Sequence, residues 1–403
     1  MNISDNSALR SCTSCQMCGA VCPKDAITIC LDVEGFYRPI IDKNKCIDCG
    51  KCVKVCYKFD SNIHISSNDQ LLNTRLYACS AISQEVISAT TSGGIGDLLV
   101  NSLINNGYTV IGVIYNSILN RAEDVLCSSI DEAKLFRGSK YIQSFTIEAF
   151  KIFVKNCKQT KFAVFGLPCH IYAISKYLQS IHFRDNVLLI DLFCHGCPSM
   201  LSWHKTSDSI KEKLGADSFS YVNWRSKCRG WGDFVLEVKG NNGKRFVSSP
   251  LNSVYYDLFF SNLILNSSCI DCKLRGTLEY TDIRLGDFWG HEYSKTTRGV
   301  SGVSVVTKRG AQLFSKISHL MSCEEKSINV FLPYQSWSHV YKIDKHLRKK
   351  LFDLLIDESV SLVKISSVLN STRSRKQKIK RYVKQILFYL PLTVTIILRR
   401  YIK

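Results

Sequence analysis

The feature that most restricts what this chain can fold into is a cysteine motif that occurs twice near its start. "CTSCQMCGAVCP" sets Cys12, Cys15, Cys18 and Cys22 at C-x2-C-x2-C-x3-C-P spacing, and "CIDCGKCVKVCY" repeats it with Cys46, Cys49, Cys52 and Cys56. Three cysteines two residues apart wrap one face of a four-iron, four-sulfur cube, and a helical turn carries the fourth to the other cluster. One cluster is therefore expected on Cys12, Cys15, Cys18 and Cys56, and a second on Cys46, Cys49, Cys52 and Cys22. Residues 1–65 are polar, turn-rich and too few to bury a core unaided, so the cubes would be their staples. Two four-thiolate zinc sites are the alternative, although zinc modules usually carry separated cysteine pairs without a third close cysteine.

The remaining composition fits a reduced, intracellular protein. A chain of 403 residues with 45% hydrophobic content can fill two or three ordinary cores without disulfides. "MNISDNSALR" shows no basic start followed by an apolar run, which points to the cytoplasm, where clustered thiols bind metal more often than they pair. The 19 cysteines are odd in number, so they cannot all pair within one chain. The formal charge of +19 is concentrated at one end: residues 359–403 hold eleven Lys or Arg and no Asp or Glu, leaving +8 for the rest. The body is then only mildly basic, which argues against a nucleic-acid protein.

From about Leu71 the pattern changes. "GYTVIGVIY", "KFAVFGLPC" and "NVLLIDLFC" read as buried strands, with "IGDLLVNSLINN" and "CHIYAISKYLQS" as helices among them, which favours an α/β body on a mixed or parallel sheet. "FVLEVKGNNGKRFVSS" reads as a hairpin turned at Asn-Asn-Gly. Beyond Pro333 the chain reads as helical. The expected organisation is an α+β ferredoxin-like segment over 1–65, a body over 71–150 and 151–330, a helical extension over 331–370 and a basic tail over 371–403.

Several loops of the body carry chemistry. In "TTSGGIGDLLV", Ser92, Gly93 and Gly94 precede a helix, where backbone amides and the helix N-terminus suit a phosphate, although Ser-Gly-Gly is more often an ordinary cap. Ser139 and Lys140 sit in "FRGSKYIQS", which unaided reads as surface. Cys169 and Cys194 each follow an apolar strand, where open α/β sheets place ligands, and Cys269 and Cys272 form a C-x2-C pair. A third cluster on Cys169, Cys194, Cys269 and Cys272 competes with a reading of the first two as small buried residues.

Over about residues 8–60 the chain resembles two-cluster bacterial-type ferredoxins, with Tyr57 in place of the usual proline. "TSGGIGDLL", "GSKYIQS", "FGLPCHI", "DLFCHGCPS", "SCIDCKLRG" and "DIRLGDFWG", in this order, resemble the coenzyme F-420 hydrogenase/dehydrogenase beta-subunit family, whose two domains would cover about 71–150 and 155–320. The resemblance implies a flavoprotein-like body that binds FAD through Ser92, Gly93, Gly94, Ser139 and Lys140, and a third four-iron cluster on Cys169, Cys194, Cys269 and Cys272. It implies an oxidoreductase moving electrons between a ferredoxin-like or hydrogenase/dehydrogenase partner and an organic substrate. That substrate would be the deazaflavin coenzyme or a polysaccharide or lipid-linked sugar intermediate. Cys197 stands where an apolar residue is usual. His195 is the candidate proton donor, although a hydrogen-bonding role is the commoner one. Asp282 and Asp287 are expected to hold a loop by capping amides, and Trp224 and Arg225 to pack in the core or flank a planar ligand.

A flavin is the natural converter between one-electron clusters and two-electron organic chemistry. An electron-transfer subunit serving a separate catalytic partner is the alternative. The apolar run 386–398 contains Pro391 and is too short to span a bilayer. With the basic residues before it, the tail reads as a contact for an anionic membrane surface, which would place the protein peripherally at the inner face. Partner docking and, less favoured, nucleic acid are the other readings.

Overall fold

The computed structural model describes residues 1–391, 394, 395 and 398. Its strands, in chain order, are β1 (Ile27–Leu31), β2 (Tyr37–Ile41), β3 (Arg75–Ala81), β4 (Thr109–Asn116), β5 (Arg121–Cys127), β6 (Ser144–Phe145), β7 (Phe162–Phe165), β8 (Leu188–Leu192), β9 (Phe219–Asn223), β10 (Glu237–Gly240), β11 (Arg245–Val247), β12 (Ile283–Asp287), β13 (Ser301–Val305) and β14 (Met321–Glu325). Nine of them make one mixed sheet in the order β14-β3-β13-β12-β8-β7-β4-β5-β6. Strands β12, β8, β7 and β4 are mutually parallel at its centre, and antiparallel pairings flank them. Because β3 and β12 are both antiparallel to β13, β3 runs the same way as the central four.

The central strands alternate between two buried faces. Val110, Ala163 and Ile190 point into a core shared with helix Ile95–Asn105, while Ile111, Val164 and Leu189 point into one shared with helices Ile147–Asn156 and Pro168–Ser180. Burial on both sides is why these strands read as unbroken apolar runs. Pro168 opens its helix directly beyond β7, its fixed φ suiting the first turn, where no intrahelical donor is needed. The Asn-Asn-Gly hairpin forms from β10 and β11, which join β9 in a separate small sheet.

The N-terminal segment is a β1–β2 hairpin set between the two cysteine stretches, each of which leads into a four-residue helix, Met17–Ala20 and Lys51–Lys54. Its staples are not cysteine sites alone. Met17, Val21, Val55, Tyr57 and Ile63 belong to the same core as Phe150, Ile171, Tyr172 and Leu274 of the body. Gln16 caps helix Ile147–Asn156 from outside: its side-chain carbonyl accepts from the amides of Thr146 (3.0 Å) and Ile147 (3.2 Å), and its amide donates to Ser144 O at 2.9 Å. The boundary expected at 150/151 falls inside that helix, and strands from both sides of it share the large sheet.

One pairing departs from the expectation of wholly reduced cysteines. Cys79 on β3 and Cys323 on β14 face each other in register, 4.3 Å apart at Cα, and form a disulfide across 244 residues of sequence. Apolar runs do not reveal which strands become neighbours, so the sequence carried no sign of it.

Three helices close the chain: Lys345–Ile356, Leu362–Ser371 and Arg375–Tyr389. The first two pack with Leu258 and Ile264. The third is fixed by Arg373 and Arg381, which pair with Asp257 at 2.7 and 2.6 Å. Arg229 also donates to the carbonyls of Leu387 and Leu390. The expected apolar run 386–398 lies partly outside the described residues, within which no helix is long and apolar enough to cross a membrane.

Candidate redox centre

Both cysteine repeats build a thiol-lined pocket. Cys22, Cys46, Cys49 and Cys52 line one of about 360 Å3, with Ile27 and Ile41 in its wall. Cys12, Cys15, Cys18 and Cys56 line another of about 330 Å3, with Ile3, Ile29 and Val55. The fourth cysteine of each stretch therefore faces the triad of the other. The backbone repeats as well: Ser14 and Gln16 flank Cys15, Asp48 and Gly50 flank Cys49, and all four have positive φ. Alternating left-handed residues turn successive amides to one side, the concavity that suits an anionic cluster. The amides of Ser14 and Ala26 donate to Cys12 Sγ (3.4 Å) and Cys22 Sγ (3.3 Å).

The donor set fits cubes better than single ions. Among the described residues no group of three or more His, Cys, Asp or Glu could hold one metal ion. In a cube each thiolate binds its own iron, so the four sulfurs surround a volume instead of meeting at a point. The pockets also differ in depth. Cys49 is exposed and Cys22 and Cys46 half-buried, whereas Cys15, Cys18 and Cys56 are buried. Burial pushes the Cys15 thiol up to about 11, so its proton would leave only when a metal takes its place.

A third group of thiols lies next to the inner pocket. Cys169 sits in the first turn beyond β7, Cys194 follows β8, and Cys269 and Cys272 come from the turn at Ser267–Ile270 and the residues after it. Burial raises the Cys169 thiol, and the neighbouring thiols of Cys15, Cys194, Cys272 and Cys269 raise it further. Cys194 is pushed up to about 12 and Cys269 to about 11, chiefly by burial, with Arg275 opposing in both cases. The Arg275 guanidinium donates to Cys269 O at 2.5 Å and lies 4.4 Å over the Tyr341 ring. It is a fixed cation beside a site that would carry negative charge. Cys197 adds a fifth thiol: its amide donates to Cys269 Sγ at 3.4 Å and its own sulfur is buried beside Cys269 and Cys194.

Tyr57 joins the two sites. Its hydroxyl accepts the amide of Lys273 at 3.0 Å, next to Cys272, while its backbone follows Cys56. Its ring meets Tyr172 edge-on at 6.0 Å, and Arg10 lies 4.9 Å over its face. The departure from proline thus has a role in packing the two thiol groups together. Asn266 adds a second tie, donating to Ser14 Oγ at 3.0 Å.

His195 is held at both ring nitrogens. Nε2 lies 2.7 Å from Asn262 Oδ1 and Nδ1 lies 3.3 Å from the Tyr341 hydroxyl, which donates to His195 O at 2.7 Å. Acceptance by Asn262 assigns the Nε2–H tautomer, and burial lowers the ring's pKa, so the imidazole is neutral. It anchors the Cys194 loop to the segments carrying Asn262 and Tyr341.

The loops expected to hold flavin meet at the same edge of the sheet. The Ser139 amide donates to Thr91 Oγ1 at 2.8 Å, which brings the two stretches together. Gly94, at φ 87, precedes helix Ile95–Asn105, whose start has no side-chain cap, leaving its first amides for an anion. Other parts of this set are already engaged within the chain. A Cβ at Gly93 would stand 2.3 Å from Cys79 O, so that glycine is required by packing against β3. Ser92 donates to Val300 O at 2.8 Å. Lys140 Nζ donates to the carbonyls of Leu135, Phe136 and Arg137 at 3.0 to 3.1 Å, and burial lowers its pKa to about 7.

Sequence reasoning overlooked the groups behind this loop. Lys227 Nζ bridges Ile87 O (2.7 Å) and Ser92 O (2.8 Å). Arg225 pairs with Asp287 at 2.9 Å and lies 4.0 Å over Phe234, while Trp231 and Trp289 stack at 4.2 Å. The buried Trp231 Nε1–H has no partner among the described residues. The basic and aromatic run "NWRSKCRGW" was the available signal. Trp224 packs in the core against Trp203 and Tyr115. Asp282 does cap an amide, that of Leu189 at 2.8 Å, and also pairs with Arg184 and Arg309; Asp287 instead pairs with Arg225.

Comparison with known proteins places the body. Residues 159–330 match the family defined by the C terminus of the coenzyme F420 hydrogenase/dehydrogenase beta subunit, and over that span the chain belongs to the coenzyme F420 hydrogenase/dehydrogenase beta-subunit family. The matched span holds all four cysteines of the third thiol group. No curated protein matches the chain. Among solved structures it is similar to a chain of the F420-reducing [NiFe] hydrogenase complex from Methanosarcina barkeri, at 19% identity and a TM-score of 0.45, covering 70% of this chain and 88% of that one.

Proposed function

We propose that the protein is an iron-sulfur oxidoreductase that accepts single electrons at the exposed Cys22, Cys46, Cys49 and Cys52 pocket. It would pass them by way of Cys12, Cys15, Cys18 and Cys56, then Cys169, Cys194, Cys269 and Cys272, to FAD and an organic substrate such as a deazaflavin or a lipid-linked sugar. The observation that carries this reading is the continuity of three thiol groups, the outermost exposed and the inner two in contact through Cys15 and Cys169. Membership of the matched segment in a hydrogenase/dehydrogenase family supports redox chemistry in general.

Each part of the chain has a distinct task in this scheme. Cys49 sets the side on which a donor protein docks. Tyr57 and Asn266 fix the spacing between inner and body thiols, and Arg275 offsets negative charge at the body site. The open amides before helix Ile95–Asn105, with Ser92, Gly94 and Ser139, would hold a pyrophosphate. Lys140 shapes that loop from within. His195, neutral and bonded at both ring nitrogens, holds the Cys194 loop. Flavin, when bound, supplies exchange between one-electron and two-electron transfer.

The engaged Lys140 and the tightly packed Gly93 favour a second reading, an electron-transfer subunit whose substrate site lies on a partner. The two part on one experiment. Anaerobic protein is mixed with a reduced ferredoxin and FAD, and both cluster and flavin absorbance are followed. Cluster bleaching with flavin reduction, the latter lost in Cys269→Ser, supports the first reading. Flavin reduction unchanged in Cys269→Ser overturns the relay, and cluster bleaching without flavin binding selects the second reading.

A further inference from the structure

Helix Arg375–Tyr389 is docked on the body along one side only. Arg381 reaches Asp257 and the carbonyl of Pro250 (2.6 Å each), Gln385 accepts the Leu251 amide at 2.9 Å, and Leu387 is buried. On the other side Ile379, Tyr382, Ile386 and Tyr389 are between 56% and 73% exposed. Their spacing of three, four and three residues places them in one stripe along the axis. Arg375, Lys376, Lys378, Lys380 and Lys384 are exposed around it, and no carboxylate occurs anywhere in residues 359–403. The anchors at Asp257 hold the stripe facing outward.

We propose that this helix is a membrane-surface element. Its stripe enters the boundary between headgroups and acyl chains of an anionic bilayer, and its five cations lie among the lipid phosphates. Isoleucine and tyrosine suit that boundary, where an apolar body and a polar tip are both accommodated. A second copy is a poor occupant, because a symmetric contact would bring two sets of five like charges together. Nucleic acid would match the cations and leave the stripe in water. The sequence continues past Pro391 as a further apolar stretch, "LTVTIIL". With 15 residues the helix is too short to span a bilayer and long enough to lie on one.

The test is flotation of the full-length, cluster-loaded protein with vesicles of phosphatidylcholine alone or mixed with phosphatidylglycerol. Binding is expected on the anionic vesicles, weakening with salt, and removal of each exposed lysine should lower it roughly fivefold. The double variant Ile379→Asp with Ile386→Asp should lower it by at least about tenfold. Lys376→Gln with Lys380→Gln, which touches no body contact, guards against a folding artefact, and iron content serves as the control. Three outcomes overturn the proposal: no preference for anionic vesicles, unaltered binding by the Ile379/Ile386 variant, or a stripe-dependent dimer or oligonucleotide complex in place of vesicle binding.

Discussion

Tyr57 shows what single residues contribute to this protein. Its hydroxyl closes a bond to the Lys273 amide across more than 200 residues, between loops that each carry a cysteine. Tyr57→Phe removes the acceptor and leaves a partly buried amide unsatisfied, a loss of about 1–3 kcal/mol. The melting temperature should fall while the iron of the N-terminal pockets is retained; calorimetry with iron assay reads both, and an unchanged melting temperature contradicts the role assigned to that bond. Arg275 acts on charge. Its guanidinium lies among Cys194, Cys269 and Cys272 and favours their thiolates. Arg275→Gln should therefore move the reduction potential of a cluster held there downward, because reduction adds negative charge that the cation no longer offsets. An upward shift in an electron paramagnetic resonance titration would refute this.

At the scale of elements, β5 carries a buried acid that sets a pH response. Asp124 is buried and one of its carboxylate oxygens has no partner among the described residues; burial pushes its pKa up to about 7 from 3.8. Between about pH 4 and 7 the unfolded chain therefore releases this proton before the folded one does, so stability falls as pH rises through that window. The penalty, at most about 4 kcal/mol, is complete above pH 7. Asp124→Asn should raise the melting temperature at pH 8 and leave it nearly unchanged at pH 4; a gain of equal size at both contradicts the assignment. Local elements were also what the sequence disclosed best. Strands β4, β7 and β8, the Asn-Asn-Gly hairpin and the thiol lining of both N-terminal pockets all follow from patterns within a dozen residues. The Cys79–Cys323 pairing, the Tyr57–Lys273 bond and the Arg225–Asp287 pair arise when the sheet brings distant segments together, and no local pattern encodes them. His195 could be singled out from its loop, but the two bonds that occupy its ring depend on Asn262 and Tyr341, far along the chain.

For the whole molecule, sheet polarity provides the organisation. Strands β3, β12, β8 and β7 all run one way, so the loops beyond them place the Gly93 loop, Asp287, Cys194 and Cys169 along one edge. The N-terminal segment packs its inner thiol pocket against that edge and leaves the outer one toward solvent. The basic helix Arg375–Tyr389 is a separate feature, held at Asp257. Cys269→Ser should remove about one cluster's worth of iron, roughly four atoms, and spare the N-terminal pair. Full iron content in that variant would show that the body thiols hold no cluster. The most direct test of the relay is anaerobic purification followed by iron, sulfide and flavin quantitation on the intact chain. Three thiol groups with bound flavin predict about twelve irons, as many sulfides and one FAD per chain. About eight irons without flavin would leave an iron-sulfur module on a body that takes no part in electron transfer, and would contradict the account.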